Sequence, residues 1–353
     1  MLLFLFRLLS HLPLSVLHGA GRIAGRLVYA LPGKYRDRLC ANAAQAGYAD
    51  PAFARRAAGE AGAMILELPR VWLRNEDSLG RVVSDDEHVV QAARAENRGI
   101  LYLTPHLGCF EITARHLARG APLTVMYRPP RKTWLAPVME AARGSSGLIA
   151  VPATTKGVRE FVRALRRGEA VGMLPDQAPG VGDGVWAPFF GRMAYTVTLP
   201  GRLASQTGVA VILTAGERLP RGQGWRIHYV RVPEPLPQDP ERQAALFNAA
   251  METLIRRFPE QYLWSYNRYK TPRGAPPAPE AAPPEASSSE DSSSVALPPE
   301  APSSVASSSV ASAPKASLSE APPSDAPRSA AAPSDAPPSG PASRGGPPPG
   351  AGT

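Results

Sequence analysis

Through the middle of the chain, short apolar runs alternate with longer segments in which apolar residues recur every three or four positions. Such runs are typical of buried strands, and the helical spacing is typical of amphipathic helices. The predicted strands cover residues 100–104, 123–127, 148–152, 170–174, 209–215 and 225–232. The predicted helices cover residues 50–75, 108–119, 135–143, 157–167, 197–206 and 242–258. This alternation predicts an α/β fold with a largely parallel central sheet flanked by helices.

The N-terminal segment, residues 1–32, is strongly apolar but is interrupted by charged residues and a proline. Its uncharged run, residues 8–21, is shorter than the roughly 20 residues that a helix needs to cross a bilayer. No basic region precedes it and no small-residue cleavage site follows it, so we do not expect a cleaved signal peptide. We expect a membrane-associated helix, with Arg22, Arg26 and Lys34 toward anionic headgroups on the cytoplasmic side. The alternative is an amphipathic helix packed on the domain.

Composition divides the chain again near residue 274. Residues 274–353 are rich in Pro, Ala, Ser and Glu and contain no aromatic residue, so they cannot bury enough apolar surface to offset the entropy of ordering. We therefore expect an α/β domain over residues 33–273 and a disordered tail over residues 274–353. The chain has 353 residues and a net charge of +9, but residues 1–273 carry 36 basic and 22 acidic residues, a net charge of +14.

The net positive charge of residues 1–273 predicts an anionic partner, such as an anionic membrane or an acidic protein. Nucleic acid is not favoured, because the positive charge is scattered and no nucleic-acid-binding motif is present. Two cysteines, Cys40 and Cys109, exclude a disulfide framework and are typical of a reducing compartment.

Candidate chemistry follows the predicted strands, because ligands of parallel α/β sheets bind beyond the carboxyl ends of the strands. Polar, chemically capable residues follow four successive strands. They are His106 after the first, Arg128 after the second, residues 154–156 after the third, and Asp176 and Gln177 after the fourth. Core packing does not explain this pattern.

His106 and Glu111 are the candidate catalytic pair. Pro105 is expected to end the strand, which places His106 at or just before a helix N-terminus. The helix end disfavours the imidazolium, so we expect a neutral ring that is available as a base. Glu111 can meet the ring only if His106 lies outside the helix, and it would then hold the other ring nitrogen. The alternatives are a histidine satisfied in the core or at the surface, and a metal site with Cys109 and His116, whose spacing is unlike that of zinc sites.

A second candidate stretch, residues 174–191, contains three alternate glycines and an aromatic cluster. Gly180, Gly182 and Gly184 permit unusual backbone conformations, but their spacing fits neither a phosphate loop nor a dinucleotide fingerprint. Trp186, Phe189 and Phe190 provide an apolar wall that suits an acyl chain, with core packing as the alternative.

Taken together, these stretches resemble the bacterial lipid A biosynthesis acyltransferases, the lauroyl/myristoyl acyltransferase family within the wider lysophospholipid acyltransferase-like group. The resemblance runs from the N-terminal segment to about Lys270 and rests on four blocks in order. They are His106 to Glu111, the Tyr127-Arg128-Pro129 segment, the Asp176 to Gly191 block, and the late Trp264-Ser265-Tyr266-Asn267-Arg268-Tyr269-Lys270 block.

The resemblance implies an enzyme of the inner membrane, at its cytoplasmic face. It would move a fatty acyl chain from acyl carrier protein thioester to a hydroxyl of a phosphorylated glycolipid, a lipid A precursor. The implied general base is His106, supported by Glu111. The implied substrate-binding residues are Arg128, Asp176, Gln177, Gly180, Gly182, Phe189 and Phe190.

The residues agree with such chemistry, since transfer to an alcohol requires a base and groups that stabilise an oxyanion. No Gly-x-Ser-x-Gly nucleophile elbow is present, which favours direct transfer without an acyl-enzyme. No metal or redox cofactor is called for. The alternatives are another glycolipid or lysolipid acceptor, and a catalytically silent lipid-binding protein of the same fold.

Overall fold

A computed structural model describes residues 2–127 and 147–279. In these ranges the helices are α1 (Leu2–Ser10), α2 (Leu14–Ala30), α3 (Lys34–Gln45), α4 (Pro51–Leu73), α5 (Asn75–Leu79), α6 (Glu87–Ala95), α7 (Phe110–Gly120), α8 (Thr155–Arg166), α9 (Leu199–Thr207) and α10 (Pro240–Arg257). The strands are β1 (Val82–Val83), β2 (Ile100–Leu103), β3 (Leu123–Tyr127), β4 (Leu148–Pro152), β5 (Ala170–Met173), β6 (Gly184–Phe189), β7 (Arg192–Val197), β8 (Ala210–Arg218) and β9 (Trp225–Arg231).

A seven-stranded sheet in the order β1-β9-β8-β2-β5-β3-β4 forms the centre of the fold. Every neighbouring pair in it is parallel except β8 and β9, which are antiparallel. Helices cover both faces, and each face has its own apolar cluster. Leu101 and Leu103 of β2 lie in one cluster, whereas Ile100 and Tyr102 of the same strand lie in the other, as strand alternation requires. The predicted α/β fold with a largely parallel sheet is confirmed.

The N-terminal segment forms two helices, and α2 packs closely on α4. The close approach of these two helices depends on glycine, since a Cβ on Gly62 of α4 would lie 2.0 Å from the carbonyl oxygen of Gly21 in α2. Leu14, Leu17 and Tyr29 of α2 are buried against the domain, as in the packed-helix interpretation. In the described part of the chain, no helix is long and apolar enough to cross a membrane.

An antiparallel hairpin begins at the last of the three alternate glycines, where no strand was predicted. Strands β6 and β7 pair from Gly184↔Val197 to Phe189↔Arg192, and β6 packs on α10. Other predicted elements lie outside the described residues. They are the helix at 135–143, the substrate-binding candidate Arg128, and the expected tail from residue 280 onward.

Candidate active site

Two neighbouring parallel strands bring His106 and Asp176 together. Leu103 of β2 is level with Met173 of β5 in the sheet register, and His106 and Asp176 each follow three residues later. A proline, which cannot donate a ladder hydrogen bond, directly precedes each of them and takes the chain out of the sheet. Both side chains therefore emerge at the same height, at the carboxyl edge of the sheet where ligands of such folds bind.

Asp176 holds His106 at two points. Its Oδ1 lies 2.7 Å from the ring Nδ1, and its Oδ2 accepts a 2.8 Å hydrogen bond from the backbone N–H of His106. The Asp176 side chain is almost fully buried, whereas the His106 side chain is 17 % exposed. A carboxylate on Nδ1 fixes the tautomer and leaves the lone pair on Nε2. The exposed Gln177 places its Nε2 3.2 Å from that nitrogen.

The pair is electrostatically coupled. Burial lowers the pKa of His106, but the charge and hydrogen bond of Asp176 outweigh it, so this pKa lies above the ordinary 6.5. Burial raises the pKa of Asp176, but the charge and hydrogen bonds of His106, with a contribution from the buried Arg268, hold it below 3.8. The group that sets the direction of this shift is Asp176, rather than the helix end expected from the sequence. Asp176 favours the imidazolium, which is the form that a base reaches after it takes a proton.

A short segment, residues 261–263, holds the loop that carries His106. The N–H of Leu263 donates to the carbonyl of His106 at 3.0 Å, and the N–H of Gly108 donates to the carbonyl of Gln261 at 3.0 Å. Gly108 has a φ of +60°, and a Cβ there would lie 2.0 Å from the carbonyl oxygen of Gly216. Only glycine fits this position, which explains the residue type at the start of the turn into α7.

The Gln261 side chain anchors this segment to the end of β8. Its Oε1 accepts from the backbone N–H of Arg218 at 2.8 Å, and its Nε2 donates to the Arg218 carbonyl at 3.0 Å. The Arg218 side chain is buried and forms a bidentate pair with Glu67 of α4, at 2.7 and 3.0 Å. His18 of α2 contacts the same carboxylate at 2.9 Å. The loop that carries His106 is thereby tied to the N-terminal helices α2 and α4.

Glu111 does not make the contact expected of it. Its Oε2 accepts a 3.0 Å hydrogen bond from Nε1 of Trp72 in α4, and the described partners of the His106 ring are Asp176 and Gln177. Glu111 is the second residue of α7, so its direction follows the helix, whereas His106 lies outside the helix. Phe110, which lies between His106 and Glu111 in the sequence, packs its ring edge-on against the His106 ring, with the ring centres 5.2 Å apart. The catalytic role of Glu111 stays a prediction.

A cavity of about 550 Å³ lies beside this edge of the sheet. Its walls are largely apolar, with Met126 and Met173 at strand ends and Val158, Leu199 and Leu203 on helices. Met173 is joined to the loop before His106, because its carbonyl accepts the N–H of Thr104 at 3.0 Å. This volume is in the usual range for small-molecule sites.

The residues predicted from the 174–191 stretch divide between the cavity and the core. Gly180 lines the cavity, and Gly182, with a φ of +85°, donates its N–H to the Tyr195 hydroxyl at 3.3 Å. Phe189 and Phe190 are 1 % and 4 % exposed and pack in the core near Trp264. For this aromatic pair, the structure agrees with the alternative interpretation, which is core packing.

The remaining candidates are dispersed. Thr154 and Thr155 line the same cavity as Gly180. The residues of the alternative metal interpretation do not converge, because Cys109 is buried and His116 contacts Glu87 at 2.8 Å. Within the described ranges, no three His, Cys, Asp or Glu side chains gather in a metal-binding geometry.

The family described as bacterial lipid A biosynthesis acyltransferase matches residues 2–271, which include the whole of this site. The chain belongs to this family. It is 30 % identical to the lipid A biosynthesis lauroyltransferase of Escherichia coli (strain K12) over 224 residues, which is 61 % of this chain and 71 % of that protein. It is also 30 % identical to the lipid A biosynthesis palmitoleoyltransferase of the same strain over 184 residues, 52 % of this chain and 59 % of that protein. A lipid A biosynthesis acyltransferase of Haemophilus influenzae is 30 % identical over 190 residues, 52 % of this chain and 58 % of that protein.

Family membership confirms the resemblance on which the sequence analysis ended. It also confirms the enzyme class, because the relatives are named lipid A acyltransferases, which are O-acyltransferases. The match ends at residue 271, close to the Lys270 limit expected from the late Trp264 to Lys270 block. Arg268 of that block is buried and donates to the carbonyl of Tyr195 at 2.9 Å and to Oγ1 of Thr196 at 2.7 Å, so it joins the β6–β7 hairpin to the domain.

Proposed function

We propose that this protein transfers a fatty acyl chain from an acyl carrier protein thioester to a hydroxyl of a lipid A precursor. The observation that carries the proposal is the His106–Asp176 pair at the carboxyl edge of the sheet, in a chain of the lipid A acyltransferase family. A largely apolar cavity lies beside the same edge, and Met173 of β5 is part of its wall. The net charge of +14 on residues 1–273 suits an acidic carrier protein and a phosphorylated acceptor.

In the proposed reaction His106 is the general base. Its Nε2 takes the proton of the acceptor hydroxyl as the oxygen attacks the thioester carbonyl, and Asp176 stabilises the imidazolium that forms. When the tetrahedral intermediate collapses, the C–S bond breaks and the imidazolium returns the proton to the thiolate. The side-chain amide of Gln177 lies 3.2 Å from Nε2 and moves aside when the acceptor hydroxyl binds there. It can then donate a hydrogen bond to the thioester carbonyl oxygen. Arg128 keeps its proposed role toward anionic or carbonyl oxygens.

The acyl chain is assigned to the cavity of about 550 Å³. Met126, Met173 and Leu203 provide its apolar surface, and Gly180 allows the backbone of the 174–184 segment to approach the chain closely. Gly182, Phe189 and Phe190 do not line this cavity, so we assign them to the folding of the hairpin that adjoins it and not to direct contact with the chain.

Mass spectrometry of lipid A from cells that lack the protein tests the proposal. We expect the loss of one fatty acyl chain from lipid A, restored by the wild-type gene and not by a His106→Ala gene. An unchanged lipid A with an altered phospholipid or glycolipid profile would overturn the proposed acceptor and favour the alternative, an acyltransferase for another lipid.

The N-terminal helices are the proposed membrane contact, at the cytoplasmic face of the inner membrane. On the side of α1 and α2 away from the domain, large apolar residues are exposed: Phe4 by 72 %, Ile23 by 61 %, Leu27 by 65 % and Leu31 by 66 %. An exposed apolar patch of this kind marks an interaction surface, and basic residues flank it as at an anionic interface.

Changing two of these residues to charged ones is expected to weaken membrane binding. Phe4→Glu with Leu27→Glu should lower binding to vesicles that contain phosphatidylglycerol by about tenfold or more in cosedimentation, because each side chain loses about 1.5–3 kcal/mol of apolar burial. Val83→Glu is the matched control, since Val83 is an exposed apolar residue of β1. Equal binding by the double variant and the control would place the membrane contact elsewhere.

The anchoring of the catalytic loop by Gln261 leads to a further expectation. Gln261→Ala removes the side-chain hydrogen bonds to the backbone of Arg218, and a longer one from its guanidinium. It should lower kcat by about 10- to 100-fold with little change in KM, since small displacements of a base are costly. Gln261→Glu keeps the acceptor and should recover part of the rate. The exposed Gln91 of α6 provides the control variant, Gln91→Ala. A wild-type kcat in Gln261→Ala would show that the loop is positioned without this anchor.

A further inference from the structure

A second cavity, of about 270 Å³, opens between α6 and α7. Glu87 and Arg94 of α6, His116, Arg119 and Gly120 of α7, and Tyr229 of β9 line it. It shares no lining residue with the cavity beside His106. His106 precedes the first turn of α7, whereas this cavity lies at its last turn, about 15 Å away along the 11-residue helix. The second cavity is therefore separate from the proposed catalytic edge.

Beneath this cavity, three buried hydroxyls share one face of the sheet. Thr214 of β8 lies opposite Tyr229 of β9, and Ile212, two residues before Thr214, is level with Tyr102 of β2. Tyr102, Thr214 and Tyr229 are 1 %, 0 % and 3 % exposed, and none of the three hydroxyls has a partner in good hydrogen-bond geometry among the described residues. The nearest polar groups are Arg94, which interacts with the Tyr102 hydroxyl, and Glu87, which interacts with that of Tyr229. Buried hydroxyls are normally paired, so this cluster calls for a polar occupant. Tyr229 belongs to the cavity wall.

The charged groups at the cavity make it rich in donors. The Arg94 guanidinium lies over Gly120, where a Cβ would come within 2.6 Å of Nη1 and 2.7 Å of Nη2. Neither Arg94 nor Arg119 forms an ion pair within the described ranges, and the one carboxylate of the wall, Glu87, is engaged by His116 at 2.8 Å.

The two phenols add to the donors. Burial raises the pKa of Tyr102 to about 12 and raises that of Tyr229 further, so both hydroxyls stay protonated at neutral pH. Two guanidiniums without a carboxylate partner and the phenol groups outnumber the one carboxylate of the wall, Glu87, so a ligand rich in acceptor oxygens matches the site.

We propose that this cavity binds a phosphate group, with Arg94 and Arg119 as its cationic partners and the Tyr229 hydroxyl as a further donor. Guanidinium groups bind phosphate oxygens with forked hydrogen bonds. The donors come from two helices and from the sheet below them, and a tetrahedral oxyanion meets donors from several directions better than a planar carboxylate. The volume of about 270 Å³ admits free phosphate or a small phosphomonoester.

Tyr229→Phe separates a ligand-binding hydroxyl from a structural one. Titration of the full chain in neutral detergent with inorganic phosphate, followed by calorimetry, should show a Kd about tenfold or more higher in the variant, as for the loss of a hydrogen bond to a charged group. Without phosphate, the variant should melt at the same temperature or higher, because it loses an unpartnered buried hydroxyl. A structural hydroxyl would instead give a lower Tm at every phosphate concentration. Tyr48→Phe, on the other face of the sheet, is the control.

Two further variants test the cationic partners. Arg94→Gln removes a charge, and Gly120→Ala keeps the charge but displaces the guanidinium; both should raise the Kd for phosphate at least tenfold. Arg163→Gln, on the exposed side of α8, and His106→Ala should leave it unchanged. A tighter Kd for glycerol 3-phosphate than for inorganic phosphate would identify a phosphomonoester as the ligand, and an equal Kd would identify free phosphate. The proposal is overturned if phosphate does not bind, or if it binds these variants and wild type alike.

Discussion

Replacing His106 by alanine is expected to lower the rate of acyl transfer by a factor on the order of 10²–10⁴, the usual contribution of a general base. The imidazole of His106 is partly exposed and is held through Nδ1 by the buried Asp176 carboxylate, which leaves Nε2 to accept the proton. Without it, the acceptor hydroxyl must lose its proton to water during the attack. The fold is expected to persist, because two interactions of Asp176 remain in the variant. Its carboxylate still accepts a hydrogen bond from the backbone N–H of residue 106, and the positive charge of Arg268 still stabilises its negative charge.

The measurement is turnover of purified protein in detergent with a radiolabelled acyl donor, with vesicle binding and thermal unfolding as tests of integrity. The matched control is His228→Ala. His228 is also a partly buried histidine paired with a carboxylate, Glu217 at 2.9 Å, but it lies on β9 away from the catalytic edge. If His106→Ala turned over at the wild-type rate, the general-base assignment would be abandoned.

The elements that sequence patterns predicted well are those whose patterns are set by burial, on both faces for the central strands and on one face for the helix. The predicted strand at 170–174 is β5, Ala170–Met173, and the predicted helix at 242–258 is α10, Pro240–Arg257. Strands of a parallel sheet are apolar throughout and end at prolines or polar residues, so their ends could be read from the sequence. The location of the candidate site, at the carboxyl edge of the sheet, could therefore be predicted from the ends of those strands.

The hairpin was missed because its turn does not have a usual turn sequence. Phe190 and Gly191 form the two-residue loop, with φ values of 47° and 72°, as in a type I′ turn, which normally has Asn-Gly or Asp-Gly. Phenylalanine is held in this left-handed conformation by contacts distant in sequence. Its N–H donates to Glu252 at 2.6 Å, and its carbonyl accepts from Gln45 at 2.8 Å. No local pattern could reveal those partners.

The partner of His106 was assigned differently for a related reason. Spacing along the chain drew attention to Glu111, five residues away, whereas the carboxylate on the ring comes from a strand 70 residues on. Strand adjacency decides this contact, and the order of strands in a parallel sheet cannot be read from one sequence. A signal was nevertheless present. Thr104-Pro105-His106 and Leu174-Pro175-Asp176 have the same offset from their strands, which is expected if two neighbouring strands release their functional residues at one level.

The second large effect is expected from Asp176→Asn. Both carboxylate oxygens accept hydrogen bonds, one from Nδ1 and one from the backbone N–H of His106, and an asparagine provides only one acceptor. The His106 ring then either loses its hydrogen bond at Nδ1 or adopts the other tautomer, in which Nε2, the nitrogen that must act as base, carries the proton. We expect kcat to fall by about 10³–10⁴, as for comparable losses of the correct tautomer.

The pH profile distinguishes this positioning role from a general loss of stability. The negative charge of Asp176 raises the pKa of His106, so the asparagine variant should have a lower His106 pKa. The neutral, basic form of the ring then persists to lower pH, and the acidic limb of kcat/KM should move to lower pH while the plateau falls.

Glu111→Gln is the matched comparison, since it removes a carboxylate charge near the same loop. Its described hydrogen bond is with Trp72, so we expect the acidic limb to stay in place and kcat to fall by less than about tenfold. If Glu111→Gln instead lowered kcat more than Asp176→Asn and moved the limb, the supporting carboxylate would be Glu111. The His106–Asp176 contact would then describe a resting arrangement that rearranges when both substrates are bound.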